Sequence, residues 1–195
     1  MSVSMKIVEK PERPLAMNPK KFALWLFMIS IVMMFAALTS AYIVRKGDGN
    51  WRMFELPVLF WYSTAVVILS SVGMQIGVMA ARKDQMAKLK WGLLSTFILG
   101  VLFLSGQFYS WKELIVGNVY FTGGNPSESF IYVLTGVHWL HLVSGLIFLG
   151  IVLFDVLKLK VHSRNMNRIE MCATYWHFLG GLWVYLFAFL LYNHQ

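Results

Sequence analysis

Charge is sparse in this sequence. Only 13% of its 195 residues are charged, against 58% hydrophobic, which excludes a soluble domain of ordinary composition and points to a chain that meets lipid over much of its surface. Cysteine is scarcer still. The lone thiol of Cys172 excludes both a disulfide framework within the chain and a thiolate metal cluster. No HExxH, CxxC or facial-triad pattern occurs, so the common zinc and iron sites have no signature here. No internal repeat is visible. The first 21 residues, MSVSMKIVEKPERPLAMNPKK, lack the short apolar core and small-residue cleavage site of a secretory signal peptide. They are polar, hold three of the five prolines, and are expected to form a flexible tail.

What the sequence does have is five long apolar runs, at about Phe22–Val44, Leu56–Ala81, Trp91–Tyr109, Phe130–Phe154 and Cys172–Tyr192. Each is near the ~20 residues that a helix needs to cross a bilayer. The expected fold is therefore all-α: a polytopic membrane protein whose single domain, residues 22–195, is a bundle of five transmembrane helices. An odd number of spans argues against a simple inverted-repeat transporter. Glycines inside the runs (Gly73, Gly77, Gly100, Gly136, Gly145, Gly150) argue for close helix contacts.

Lysine and arginine set the expected direction. The tail, the loop after span two and the loop after span four together hold thirteen of the 17 basic residues; the opposite side has only Arg45, Lys46, Arg52 and Lys112. The positive-inside rule then puts the N-terminus in the cytoplasm and the C-terminus outside. The net charge of +8 follows from this asymmetry and suits contact with anionic lipid headgroups, without nucleic acid as a partner. The longest outer connection is expected over Ser110–Ser129, with Gly-Gly-Asn-Pro as a turn.

Ionisable groups inside the spans are the candidate site, because polar groups in hydrocarbon need a partner or a task. His138 and His141 lie in the stretch TGVHWLHLVSG of span four; Glu170 and His177 lie seven residues apart at the start of span five, on one helix face. Three readings stand. A histidine pair across spans four and five would ligate a haem, but the expected depth mismatch with His177 is ~10 Å for His138 and ~6 Å for His141. A metal site from His138, His141, His177 and Glu170 would need side chains to converge, yet residues three apart point ~60° apart around a helix. In the third reading the histidines hydrogen-bond to neighbouring helices or line a lipid-filled groove. Glu170 suits the positive N-terminal end of span five. Trp176, Trp183 and Tyr185 read as helix packing and interface anchoring rather than as a cofactor box.

These motifs also carry a resemblance. TGVHWLHLVSG, a basic loop and then RIEMCATYWHFLGGLW resemble subunit III of the haem–copper respiratory oxidases, the cytochrome c and quinol oxidases, in a five-helix form. The residues matching that family's pattern are Thr135, His138, His141 and Gly145 in span four. In span five they are Glu170, Tyr175, Trp176, His177, Phe178 and Trp183. Span one is similar through Leu26, Phe27, Ser30, Phe35, Ala41 and Tyr42, and the end of span three, running into the connection, through Gln107 and Trp111. The likeness covers about residues 22–192. It departs at Ile31, where the family has a membrane carboxylate, at Gly180, where an Asp is common, and at Ser110, where an acid is expected.

The resemblance implies a non-redox subunit of a proton-pumping terminal oxidase in a bacterial inner membrane. Its polar pocket, for lipid or subunit contact, would comprise His138, His141, Glu170, His177, Trp183 and Gln107. It implies no cofactor or metal in this chain, with haem and copper in partner subunits and phospholipids bound. The implied partners are oxidase subunit I, in direct contact, subunit II, and a cytochrome bc-type or alternative quinol-oxidising complex. The implied role is to stabilise the catalytic subunit, hold lipid and support proton uptake. A quinone- or haem-binding anchor of another redox enzyme, with His141 and His177 as ligands, stays open, as does a homologue serving a nitric oxide reductase.

Overall fold

The computed structural model of the chain describes residues 19–49, 51–54, 56–122, 124–158 and 166–193. They form five helices: α1 (Pro19–Lys46), α2 (Leu59–Arg82), α3 (Met86–Val116), α4 (Pro126–Leu157) and α5 (Met166–Asn193). All five are long and apolar enough to cross a membrane, and no strand occurs among the described residues. The expected all-helical, five-span fold is the observed one. Most of the expected tail, residues 1–18, lies outside the described residues, as do Lys160 and Arg164 of the last basic loop. Pro19, Lys20 and Lys21 are already the first turn of α1.

The helices overrun the apolar runs that announce them. α3 spans 31 residues and α4 spans 32, or ~46–48 Å at 1.5 Å per residue, well beyond the ~30 Å hydrocarbon core. Hydropathy marks only the part of a helix that sits in lipid, so Ser110–Val116, expected in a loop, is instead the last two turns of α3. The true connection between α3 and α4 is short. It ends in a capped helix start: Asn125 accepts a hydrogen bond from the Ser127 backbone N–H, and Pro126 occupies the first turn, where a missing N–H costs nothing. Gly124 before it has φ +84°; Gly123, the other glycine of the expected turn, lies outside the described residues.

Packing centres on two relationships. α2 and α3 form a tight antiparallel pair joined by a turn at Lys83–Gln85. Its seam is glycine on glycine: a Cβ on Gly92 would meet the Cα and N of Gly77 at 2.8 Å and the carbonyl oxygen of Gly73 at 3.1 Å. The backbones touch, which is how helices associate in lipid without a hydrophobic drive. α5 then packs against α1, α2 and α4. Its Trp176 and Trp183, 2% and 0% exposed, reach into α2, where the Trp176 indole donates to Ser70 Oγ (3.1 Å) and the Trp183 indole to Thr64 Oγ1 (3.0 Å).

α1 is the least embedded helix. Its buried residues are Met28, Ile31, Phe35, Thr39 and Tyr42, one stripe at three- and four-residue spacing that faces α4 and α5. Most of its other apolar side chains point outward. At its C-terminal end the Lys46 ammonium donates to the Asn193 carbonyl oxygen at 2.6 Å, fastening α1 to the end of α5.

Candidate functional site

The six side chains singled out in the sequence fall at different levels of the bundle. His138 is fully buried. Its imidazole lies 5.3 Å from the Trp183 ring, 6.1 Å from Phe103 and 6.4 Å from Phe35, centroid to centroid. Rings from α1, α3 and α5 thus enclose a histidine of α4. His141, one turn on, is half-buried; its Nδ1–H donates to the Val137 carbonyl at 2.8 Å, and its ring lies 6.0 Å from Phe35. Next to it, Ser144 Oγ and the Tyr175 hydroxyl are 2.8 Å apart, which ties α4 to α5.

Gln107 is also fully buried, on α3. Just beyond it the Trp111 indole donates to Thr135 Oγ1 at 3.0 Å, and just before it the Leu104 carbonyl accepts from the Trp139 indole at 3.3 Å. These two bonds fix the antiparallel register of α3 on α4. They bring Gln107 of α3 to about the level of His138 on α4, whose ring lies against Trp183.

Glu170 and His177 are not at that level. Glu170 lies near the start of α5 and pairs with Arg82 of α2 at 3.2 Å, with a third of its side chain exposed. His177 is half-buried, two turns along the same face, and its Nε2 has no hydrogen-bond partner among the described residues. The structure therefore divides the expected pocket into a core group (Gln107, His138, Trp183), a half-buried histidine beside α1 (His141), His177, and a rim ion pair (Glu170). No group of three or more His, Cys, Asp or Glu side chains able to hold a metal ion occurs among the described residues.

Where the sequence departs from the family pattern, the local packing is apolar or close. Ile31 is 2% exposed and belongs to the same core as Phe35 and Tyr175. A Cβ on Gly180 would lie 3.2 Å from Ser71 Oγ, so a longer side chain there would press on α2.

Sequence reasoning missed a polar cluster at the loop end of the bundle. Arg52, between α1 and α2, pairs with Glu128 in the first turn of α4 at 2.9 Å. Glu128 also accepts from the Tyr120 N–H at 3.3 Å, while Ser127 Oγ donates to the Arg52 carbonyl at 2.9 Å. The signal was present: Asn-Pro-Ser-Glu is a helix-start pattern with its acid in the first turn. Beside this cluster a groove of about 960 Å³ runs between α1 and α4, lined by Ala37, Ser40, Ala41 and Val44 on one wall and Ser129, Phe130 and Val133 on the other. A smaller groove, of about 450 Å³, lies between α3 and α4 at the opposite end, with Trp91 and Lys90 at its edge.

Comparison with known proteins matches the chain to one family. The family model described as cytochrome c oxidase subunit III matches residues 49–194. The chain is 29% identical over 185 residues to the cytochrome bo(3) ubiquinol oxidase subunit 3 of Buchnera aphidicola, covering 90% of this chain and 95% of that one. It is 30% identical to the probable cytochrome c oxidase subunit 3 of Nocardia farcinica (84% and 82% covered) and 27% identical to the cytochrome c oxidase subunit 3 of Bacillus sp. strain PS3 (91% and 88% covered). All three relatives bear the name of a third oxidase subunit.

Proposed function

The chain belongs to the cytochrome c oxidase subunit III family, and from that premise we propose that this multi-pass subunit of a terminal oxidase carries no redox centre and works by packing. It lies against the catalytic subunit, which with subunit II holds the haem and copper. It retains phospholipid along its flank and keeps proton uptake by its partner stable over many turnovers. Its place is the bacterial inner membrane, with the N-terminus in the cytoplasm.

The observation that carries this reading is the setting of His138. The family's span-four histidine is walled by Phe35, Phe103 and Trp183, three rings where a haem ligand would need an open face for the porphyrin. His141 spends one ring nitrogen on its own helix. Both rings pack edge-on against Phe35 of α1, and that packing, rather than ligation, is what ties α4 to its neighbours. The lipid role is supported by the groove between α1 and α4, whose walls are mostly apolar and whose mouth carries Arg45 and Asp48, a shape and polarity suited to an acyl chain with its headgroup at the rim.

In mechanistic terms, helices in lipid are held by close packing and a few hydrogen bonds. A bundle set against the catalytic subunit replaces mobile lipid and detergent with fixed side chains. It slows the loosening of the helices it touches. The experiment is to strip the chain from the purified complex and record the haem spectrum, the initial rate of oxygen consumption and its decay. Haem and copper should stay with the remaining subunits, initial turnover should be partly kept, and activity should decay faster with repeated cycles. Stoichiometric loss of haem or copper with the chain would overturn the reading and return His141 and His177 as ligands.

A further inference from the structure

Four polar atoms in the core have no hydrogen-bond partner among the described residues. Gln107 and His138 are both 0% exposed, and Gln107 Oε1, Gln107 Nε2, His138 Nδ1 and His138 Nε2 are buried without a hydrogen-bond partner among the described residues. A primary amide offers two donors and an acceptor with two lone pairs, and a neutral imidazole one donor and one acceptor. Such groups are almost always satisfied inside proteins. Deep in a membrane bundle, bulk water is not there to do it.

Helix geometry puts the two residues together. The Phe103 ring touches the His138 ring, and Gln107 follows Phe103 by four residues, one turn along the same face of α3. The Trp139–Leu104 and Trp111–Thr135 bonds bracket this turn on both sides. Gln107 lies between Leu104 and Trp111, as His138 lies between Thr135 and Trp139. Both side chains therefore occupy the same narrow interval where α3 faces α4. A direct amide–imidazole bond would satisfy one atom of each and leave the other two orphaned. Two hydroxyls close to this interval keep acceptor capacity: Ser110 Oγ donates to the Gly106 carbonyl and Thr135 Oγ1 to the Ile131 carbonyl, so each retains a lone pair.

We propose that Gln107 and His138 hold an enclosed water molecule between α3 and α4. Water supplies two donors and two acceptors, which suits an amide and an imidazole that cannot complete each other, and buried waters of this kind bind polar pockets with about three partners. The aromatic wall of Phe35, Phe103 and Trp183 shuts the site from lipid. The bound water fixes the rotation of α3 against α4, because turning either helix would withdraw a partner. It does not depend on the oxidase reading.

The test is a density map of the purified complex at a resolution that shows ordered water, for the native chain and for Gln107→Met, which keeps the side-chain length and removes the amide. The native map should show density within hydrogen-bond distance of both the Gln107 amide and a His138 ring nitrogen. In the variant that density should be gone. Three outcomes would overturn the proposal: a direct Gln107–His138 bond with nothing between them, either side chain bonded instead to a partner subunit, or a water that persists unchanged on His138 in the variant. Should Gln107→Met fail to assemble, the native map still decides.

Discussion

Arg52 and Glu128 lie 76 positions apart in sequence and meet at 2.9 Å, with the Glu128 side chain only 3% exposed and that of Arg52 about half exposed. The contact holds the α1–α2 connection against the α3–α4 connection at the start of α4. The carboxylate is further fixed by the Tyr120 N–H and by its place in the first turn of a helix. Replacing Arg52 by Met would strand a buried charge. The expected cost is about 1–3 kcal/mol, below the 3–5 of a fully buried pair because Arg52 is half in solvent. Thermal unfolding of the complex measures it. Arg52→Met/Glu128→Gln should recover part of the loss, since the stranded charge is then removed. A double variant as unstable as the sum of the two singles would show that the pair does not couple.

The glycine seam between α2 and α3 gives a steric prediction. Gly92→Ala places a methyl group 2.8 Å from the Gly77 backbone, and backbone cannot step aside as a side chain can. The two helices must separate, at a cost of about 1–3 kcal/mol for overpacking. Gly181→Ala is the control, because a Cβ there meets nothing within 4 Å. The measurement is the amount of chain that stays with the complex after detergent extraction. Retention should fall for Gly92→Ala and hold for Gly181→Ala; equal retention would mean the seam is not a tight contact.

Direction across the membrane rests on thirteen of 17 basic residues gathered on one side. Reporter fusions after Lys21 and after Gln195 should report the cytoplasm and the outside, respectively. Moving basic residues should weaken the assignment: replacing Lys88 and Lys90 by Gln while adding Lys beside Arg52 should produce a mixed topology. A uniform, unchanged population would mean that charge does not set the orientation.

Composition and hydropathy were enough to read the five spans and their order, because lipid demands long apolar stretches and little else meets that demand. The ends were less legible. Trp111, Lys112 and Glu113 read as loop, yet they continue α3, since a helix leaving hydrocarbon needs no apolar residues to persist. At the site, the sequence marked His138 and Gln107 but not their shared layer, which depends on the rotation of α3 against α4 and on two indole hydrogen bonds. Glu170 and His177 did share one face, as spacing required. What spacing could not supply was Arg82, the partner that draws Glu170 to the rim. Asn-Pro-Ser-Glu marks Glu128 as a first-turn acid, but its burial depends on a loop residue 76 positions away that closes on it.

The last prediction concerns the carboxylate that α1 lacks. Pro19–Lys46 contains no Asp or Glu, and Ile31, where the family pattern has an acid, is 2% exposed within the core. A carboxyl-modifying carbodiimide should therefore leave α1 of the native complex unlabelled, as peptide mass spectrometry would show. Restoring an acid by Ile31→Glu should create a labelled site and also weaken the bundle. Ile31 lies in the buried stripe with Met28 and Phe35, where a carboxyl group displaces apolar contacts of the core. Insertion scales put the cost of an acidic residue such as Asp at a helix centre at about 3 kcal/mol, and burial among side chains adds the lost packing. The complex should thus lose chain in detergent and decay faster in turnover, while Ile31→Leu, a near-isosteric swap, should change either by little. Labelling of native α1 would show that the helix bounds or identities here are wrong. A fully retained, equally durable Ile31→Glu complex would show that the α1 stripe has room and partners for an acid, and that its absence in this chain has no packing cause.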